Sequence, residues 1–295
     1  MTNRVELAPS LTLLRADNPS PMTAEGTNSY ILGMSELAVI DPGPDESAHL
    51  ARLLDVIGPR AVGCILVTHS HKDHSALAPR LAQATGAPVL AFGDSKAGRS
   101  EQMKSLAAND TIGGGEGIDL TFAPDRCLQD GEVLQVGAET ITAIWTPGHM
   151  SNHMCFQWRD RLFTGDHVMG WAPSLVSPPD GDMSAYMRAL ERLGQIDTSA
   201  YHPGHGAVID RPRERVAELI VHRRARETAL LKALRNGPAQ IAALVDRIYT
   251  NVPQGLHKAA ARNVFAHLAD LHARDIVHAQ PALSPNAVFS YKMPN

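Results

Sequence analysis

The chain has 295 residues, 44% hydrophobic and 20% charged, enough for a sizeable core and too apolar for global disorder. No stretch approaches the ~20 apolar residues of a membrane span. Met1 to Thr23 lacks the basic start and long apolar run of a secretory signal. The net charge of −4 is unevenly spread: residues 211–295 hold 13 Lys and Arg against 6 Asp and Glu, a net of +7, and residues 1–210 carry −11. This asymmetry predicts two modules, 1–210 and 211–295.

In the first module, strands are expected at Tyr30–Gly33, Leu37–Asp41, Val62–Val67, Pro88–Phe92, Val133–Val136, Thr140–Trp145, Met154–Trp158 and Leu162–Thr164. Helices are expected at Glu46–Ile57, Ser75–Ala84 and Met183–Leu193. Residues 93–130, with Gly113-Gly114-Gly115, have weak periodicity and read as a long loop region. Strands outnumber dispersed helices, which favours a two-layer β core with helices outside. After Gly206 the pattern changes to helices over 213–235, Pro238–Tyr249 and Leu256–Arg274, then strands at Ile276–Ala279 and Ala287–Tyr291. Three helices followed by a β-ribbon is the order of a winged-helix module. Cys64, Cys127 and Cys155 are an odd set without short-range pairing, which points to a reducing, cytoplasmic compartment.

Chemistry is concentrated at strand ends. Thr68-His69-Ser70-His71-Lys72-Asp73-His74 follows the apolar run 62–67. In an extended chain His69, His71 and Asp73 share one side, and a turn is needed to bring His74 round. A solvated loop has no need of so many donors at this spacing. Thr146-Pro147-Gly148-His149, Thr164-Gly165-Asp166-His167 and His202-Pro203-Gly204-His205-Gly206 each lie at a strand end or a tight Gly turn.

On these four motifs, with Gly26-Thr27-Asn28-Ser29-Tyr30 and Ile40-Asp41-Pro42-Gly43, residues 10–210 resemble the metallo-β-lactamase fold superfamily. The resemblance implies an α+β protein, an αβ/βα four-layer sandwich with a metal site along one edge. It assigns His69, His71 and His149 to one metal and Asp73, His74 and His205 to the second, with Asp166 bridging them. Imidazole and carboxylate suit Zn²⁺, and the same set accepts Mn²⁺ or Fe²⁺. Two close divalent metals can hold one hydroxide and lower its pKa towards neutrality. Asp73 is a candidate to hold the nucleophile's proton as well. Asp166 stands where the thioester and phosphodiester hydrolases carry a bridging aspartate and true zinc β-lactamases do not. His71 replaces the Glu of the flavo-diiron oxygen reductases, which implies hydrolysis over redox chemistry.

The tail, with His222-Arg223, Arg226-Glu227, Ile248-Tyr249, Leu256-His257, Asn263-Val264, His267-Leu268 and Ile276-Val277, resembles the winged-helix tail of the lactamase-β-like-protein-2 group. Animal members of that group are single-stranded RNA endonucleases, and fungal relatives include thioesterases acting on carrier protein. The resemblance therefore implies a dinuclear hydrolase, with single-stranded RNA as the first substrate reading and an acyl thioester as the second. A nucleic-acid-binding regulator with a relic site is the third. No membrane partner is expected. Met150 and Ser151-Asn152 depart from the family pattern beside His149.

Other residues have two readings each. His153 and His167 either orient substrate or donate a proton to a leaving group, or they are core histidines behind the ligands, hydrogen-bonded to backbone. Trp171 is a candidate pocket residue, and Tyr186 reads as helix packing. His202 reads as structural; His257, His267, His272 and His278 read as surface or helix-packing residues. The six arginines of 211–226 either hold a phosphate backbone or contact the acidic first module.

Overall fold

The structure, a computed structural model, describes residues 3–108, 117–250 and 253–293. The apolar runs seen in the sequence pair into two sheets. The first holds β1 (Arg4–Ala8), β2 (Leu11–Arg15), β3 (Asn28–Leu32), β4 (Glu36–Ile40), β5 (Ala61–Leu66), β6 (Val89–Ala91) and β7 (Arg126–Cys127) in that spatial order. It is antiparallel from β1 to β4 and parallel from β4 to β7. β3 is buried at every position because both sheet faces are covered. The second sheet runs β12-β11-β10-β9-β8, built from β8 (Val133–Val136), β9 (Glu139–Trp145), β10 (Met154–Trp158), β11 (Arg161–Gly165) and β12 (Ala200–Pro203). Only the β11–β12 pair is parallel there.

The sheets stack face to face. Leu11, Leu13, Tyr30 and Leu66 meet Ile141, Phe156, Trp158 and Phe163 between them. Helices are α1 (Ser47–Ile57), α2 (Lys72–Ser75), α3 (Ala78–Thr85), α4 (Glu101–Ala107), α5 (Met183–Leu193), α6 (Pro212–Arg235), α7 (Ile241–Ile248) and α8 (His257–Ala273). α1 and α3 cover the outer face of the first sheet through Leu53, Val56 and Leu81. α5 and the start of α6 cover the second through Leu190, Leu193, Val216 and Leu219. The result is the expected four layers. No helix among the described residues is long and apolar enough to cross a membrane.

The end of α6, with α7, α8 and the hairpin β13 (Val277–Gln280) and β14 (Val288–Tyr291), encloses a further core around Leu230, Leu244, Val264, Leu268 and Phe289. The expected winged-helix order is present. The expected loop over 93–130 is a correction: it contains α4 and β7. The signal was weak because α4 is short and buries only Met103 and Leu106, both in the C-terminal core. Gln102 also donates to the Ala269 carbonyl at 2.9 Å. Gly113-Gly114-Gly115 lies outside the described residues. β1 and β2 add two strands ahead of the first expected one, and the expected helix over 75–84 is divided into α2 and α3.

Trp158 is the largest fully buried side chain, and its indole N–H donates to Glu139 at 2.7 Å. Trp158→Ala is expected to cost about 3–5 kcal/mol of unfolding free energy. Urea unfolding checks this, and a loss below ~1 kcal/mol would mean that the space between the sheets refills.

Candidate metal centre

Four chain segments leave the carboxyl ends of strands and converge on one edge of the sandwich. After β5 the chain stays extended through His71 (φ −73, ψ 143) and then enters α2. That single helical turn brings His74 round, as the spacing requires. It also moves Asp73 away from His69 and His71 and into the company of His74 and His205. After β9, Gly148 permits the turn to His149: φ is +151, and a Cβ there would lie 2.4 Å from the Tyr186 backbone. After β11 comes Asp166. After β12, Gly204 lets His205 close the site; its Cβ would sit 2.6 Å from both Asp166 Oδ1 and His74 Cε1.

All seven expected donors come together, in two groups. His69, His71, His149 and Asp166 form one, and Asp73, His74 and His205 form the other, with donor atoms within 4.8 Å of one another in each. His71 Nδ1 lies 2.9 Å from His69 Nε2 and 3.1 Å from His149 Nε2. His205 Nε2 lies 3.3 Å from His74 Nε2 and 3.2 Å from Asp73 Oδ2. Asp166 stands between the groups. Its Oδ1 is 3.4 Å from His74 Nε2 and from His205 Nε2, and its Oδ2 is 3.7 Å from His149 Nε2. Asp166 Oδ1 is buried without a hydrogen bond of good geometry. Nitrogens that cannot all donate to one another, and an unsatisfied buried carboxylate oxygen, are what a cation-binding centre presents.

The far sides of the rings are anchored. His74 Nδ1 lies 2.8 Å from Asp41 Oδ2, His149 Nδ1 2.6 Å from the Leu175 carbonyl, and His205 Nδ1 3.3 Å from the Gly26 carbonyl. Each partner is an acceptor, so each Nδ1 carries a proton, and in the neutral ring the Nε2 lone pair faces the centre. Thr68 Oγ1 donates to Asp41 Oδ2 at 2.8 Å and lies 3.0 Å from His69 Nδ1. Asn28 donates to the carbonyls of Pro203 and Gly206 at 3.0 and 2.9 Å, which pins the turn carrying His205.

The electrostatics ask for positive charge. Burial opposes protonation of His74, but the carboxylates of Asp73, Asp166 and Asp41 outweigh it and raise its pKa well above the usual value. His205 goes up to about 9: burial opposes protonation there too, and Asp166 and Asp73 overcome it. Burial would raise the carboxyl pKa of both Asp73 and Asp166, yet His74 and His205 hold both well down. In the other group burial pushes His69 and His149 down and, together with His149, takes His71 to about 3. Three neutral imidazoles beside two ionised carboxylates suit a divalent ion.

Asp41 is the residue that sequence reasoning left out of the site. It lies within the Ile40-Asp41-Pro42-Gly43 segment, but nothing in the linear chain ties it to His74. Its backbone is left-handed (φ +50), and its Oδ1 accepts from the Thr68 N–H at 2.8 Å. His153 and His167 are fully buried. His153 stacks on His69 at 5.2 Å, and His167 packs on Tyr186 at 4.6 Å. They back the cluster, and neither ring reaches solvent. Tyr186 is buried helix packing as expected, and His202 stacks on Phe163. His267 is buried on α8. Trp171 is 44% exposed and stands over Gly206, at the rim.

The arginines of 211–226 are engaged within the chain. Arg213 pairs with Asp197 and Arg224 with Glu191, both across to the first module. Arg211 and Arg215 pair with Glu214 and Glu218 on their own helix. Arg223 bonds Asn263, and Arg226 lies over Tyr249.

Comparison with known proteins agrees with this geometry. Residues 22–205 match the Metallo-beta-lactamase superfamily, and residues 241–282 match the Beta-lactamase associated winged helix domain. The chain is 29% identical over 267 residues to the Atrochrysone carboxyl ACP thioesterase of Aspergillus fumigatus, covering 84% of this chain and 76% of that one. It is 30% identical over 267 residues to the Beta-lactamase-like protein 2 homolog of Drosophila melanogaster, covering 86% and 85%. A metallo-beta-lactamase family protein from Thermus thermophilus superposes with a TM-score of 0.77 over 97% of this chain and 100% of that one, at 24% identity.

Proposed function

Since the chain belongs to the metallo-beta-lactamase superfamily and carries its associated winged helix, we propose that it is a dinuclear metal-dependent hydrolase of acyl thioesters. The observation that carries the reading is Asp166, whose two oxygens face the two donor groups. His69, His71 and His149 would hold one divalent ion, and Asp73, His74 and His205 the other, with Asp166 shared. Zn²⁺ suits this donor set best, and Mn²⁺ and Fe²⁺ are its competitors. Such ions supply Lewis acidity and lower the pKa of water towards neutrality. In hydrolysis a water oxygen forms a bond to the thioester carbon, the C–S bond breaks, and the departing sulfur takes a proton. In this reading Asp73, 27% exposed and with Oδ2 3.2 Å from His205 Nε2, would take the proton from the water. His153 and His167 lie fully buried behind the donors.

Two observations favour the carbonyl over the phosphodiester. Four of the six arginines offered as a phosphate track, Arg211, Arg213, Arg215 and Arg224, pair with carboxylates of this chain, and the Aspergillus relative bears the name of a thioesterase. The converged donor set speaks against a regulator with a relic site. Metal-loaded protein assayed on acyl thioesters and on single-stranded RNA is the test. Thioester turnover that disappears in His69→Ala is expected. RNA cleavage lost in the same variant, with thioesters untouched, would reverse the choice of substrate.

A further inference from the structure

A cavity of about 290 Å³ lies between the 169–175 segment and helices α6 and α8, at the small end of ligand pockets (~300–1,000 Å³). Two of its lining segments reach the donor cluster. Leu175 lines the cavity, and the Leu175 carbonyl faces His149. Pro21 and Met22 line it from the segment whose Gly26 carbonyl faces His205. Met22, Met169, Trp171 and Leu256 make the body apolar, while α6 contributes His222 and the cationic Arg223 and Arg226.

Arg223 is the informative one of the three. It is 2% exposed. Nη1 donates to Asn263 at 3.2 Å and Nη2 to the Ser174 carbonyl, but Nε is buried without a partner. No carboxylate pairs with it among the described residues. The neighbouring His222 Nδ1 is likewise buried and unpartnered. Burial and the charges of Arg223, Arg226 and Arg215 push that imidazole down to about 4. A buried guanidinium without a counter-ion is costly, and an anion relieves the cost.

We propose that this cavity receives the acyl part of the substrate and that Arg223, with His222, binds a carboxylate at the far end of the acyl chain. The assignment rests on the thioester reading above. A wholly apolar chain would fill the body and leave Arg223 Nε and His222 Nδ1 dry. A carboxylate beside the guanidinium supplies the missing counter-charge and leaves Nη1 and Nη2 with Asn263 and Ser174.

The test compares N-acetylcysteamine thioesters of adipate, with its second carboxylate free, and of hexanoate on the metal-loaded enzyme. Wild type is expected to favour the adipoyl substrate by about tenfold or more in kcat/KM. Arg223→Gln and His222→Gln are each expected to lose most of that preference. The ratio comes from one preparation, so a partly folded variant does not distort it. Equal kcat/KM in wild type overturns the proposal, as does a preference that survives both variants. If neither thioester turns over, the thioester reading fails, and the cavity is decided by calorimetric titration of metal-free protein with octanoate and octanamide. Tighter octanoate binding that Arg223→Gln removes supports the carboxylate site, and equal affinities overturn it.

Discussion

Asp166→Asn is expected to lower turnover by about three orders of magnitude and to release at least one of the two metal equivalents. The substitution keeps the shape and removes the charge that His74, His205 and His149 share. An amide offers one acceptor oxygen, so it can serve one donor group but not both. Losing the stabilisation that a second ion lends to developing charge is worth ~4 kcal/mol, hence the factor. Metal content by mass spectrometry and the melting temperature read the same event independently of turnover. An ion bound only by the native state adds RT ln(1 + [L]/Kd), about 4 kcal/mol at a thousandfold excess over Kd. The metal-dependent rise in melting temperature should therefore shrink in the variant. A variant holding both ions and wild-type turnover would remove Asp166 from the centre.

Asp41→Asn tests the support beneath His74. Asp41 accepts from the Thr68 N–H, the Thr68 hydroxyl and the His74 Nδ1–H. With the amide oxygen kept on the Thr68 N–H, the amide nitrogen faces His74. Two donors then oppose each other, and the imidazole escapes by moving its proton to Nε2. That proton points at Asp166 and occupies the lone pair that a metal needs. A 10–100-fold loss of metal affinity is expected, together with near-normal folding. Asp41→Ala should add a stability loss of about 3–5 kcal/mol, because it strands buried donors. Competition with a chelator and chemical denaturation separate the two effects. Unchanged metal affinity in Asp41→Asn would show that His74 keeps its tautomer without the carboxylate.

Much of the centre was legible in the chain. Histidine and aspartate are rarely clustered without a reason, and each cluster follows an apolar run that reads as a strand end. Donor identity and strand–loop position are local properties that pick out the four motifs, and the family resemblance then singles out His69, His71, Asp73, His74, His149, Asp166 and His205 without reference to the fold. The order of three helices and a ribbon after Gly206 is equally local. Periodicity failed at α4, whose apolar contacts lie in the C-terminal core more than a hundred residues away in sequence. It failed at Asp41 for the same reason: its partner His74 is 33 residues on.

By itself the sequence determined which side chains could hold metal, which superfamily pattern they follow and where the strands that carry them end, because these depend on residue type and short-range spacing. Tertiary structure decided the rest. It moved Asp73 from the side of His69 to the side of His74 through one helical turn. It enlisted Asp41, buried His153 and His167 behind the donor cluster, and turned the arginines of α6 towards acidic partners and a cavity. Each of these depends on which distant segments share a few ångströms of space, and linear order does not carry that information.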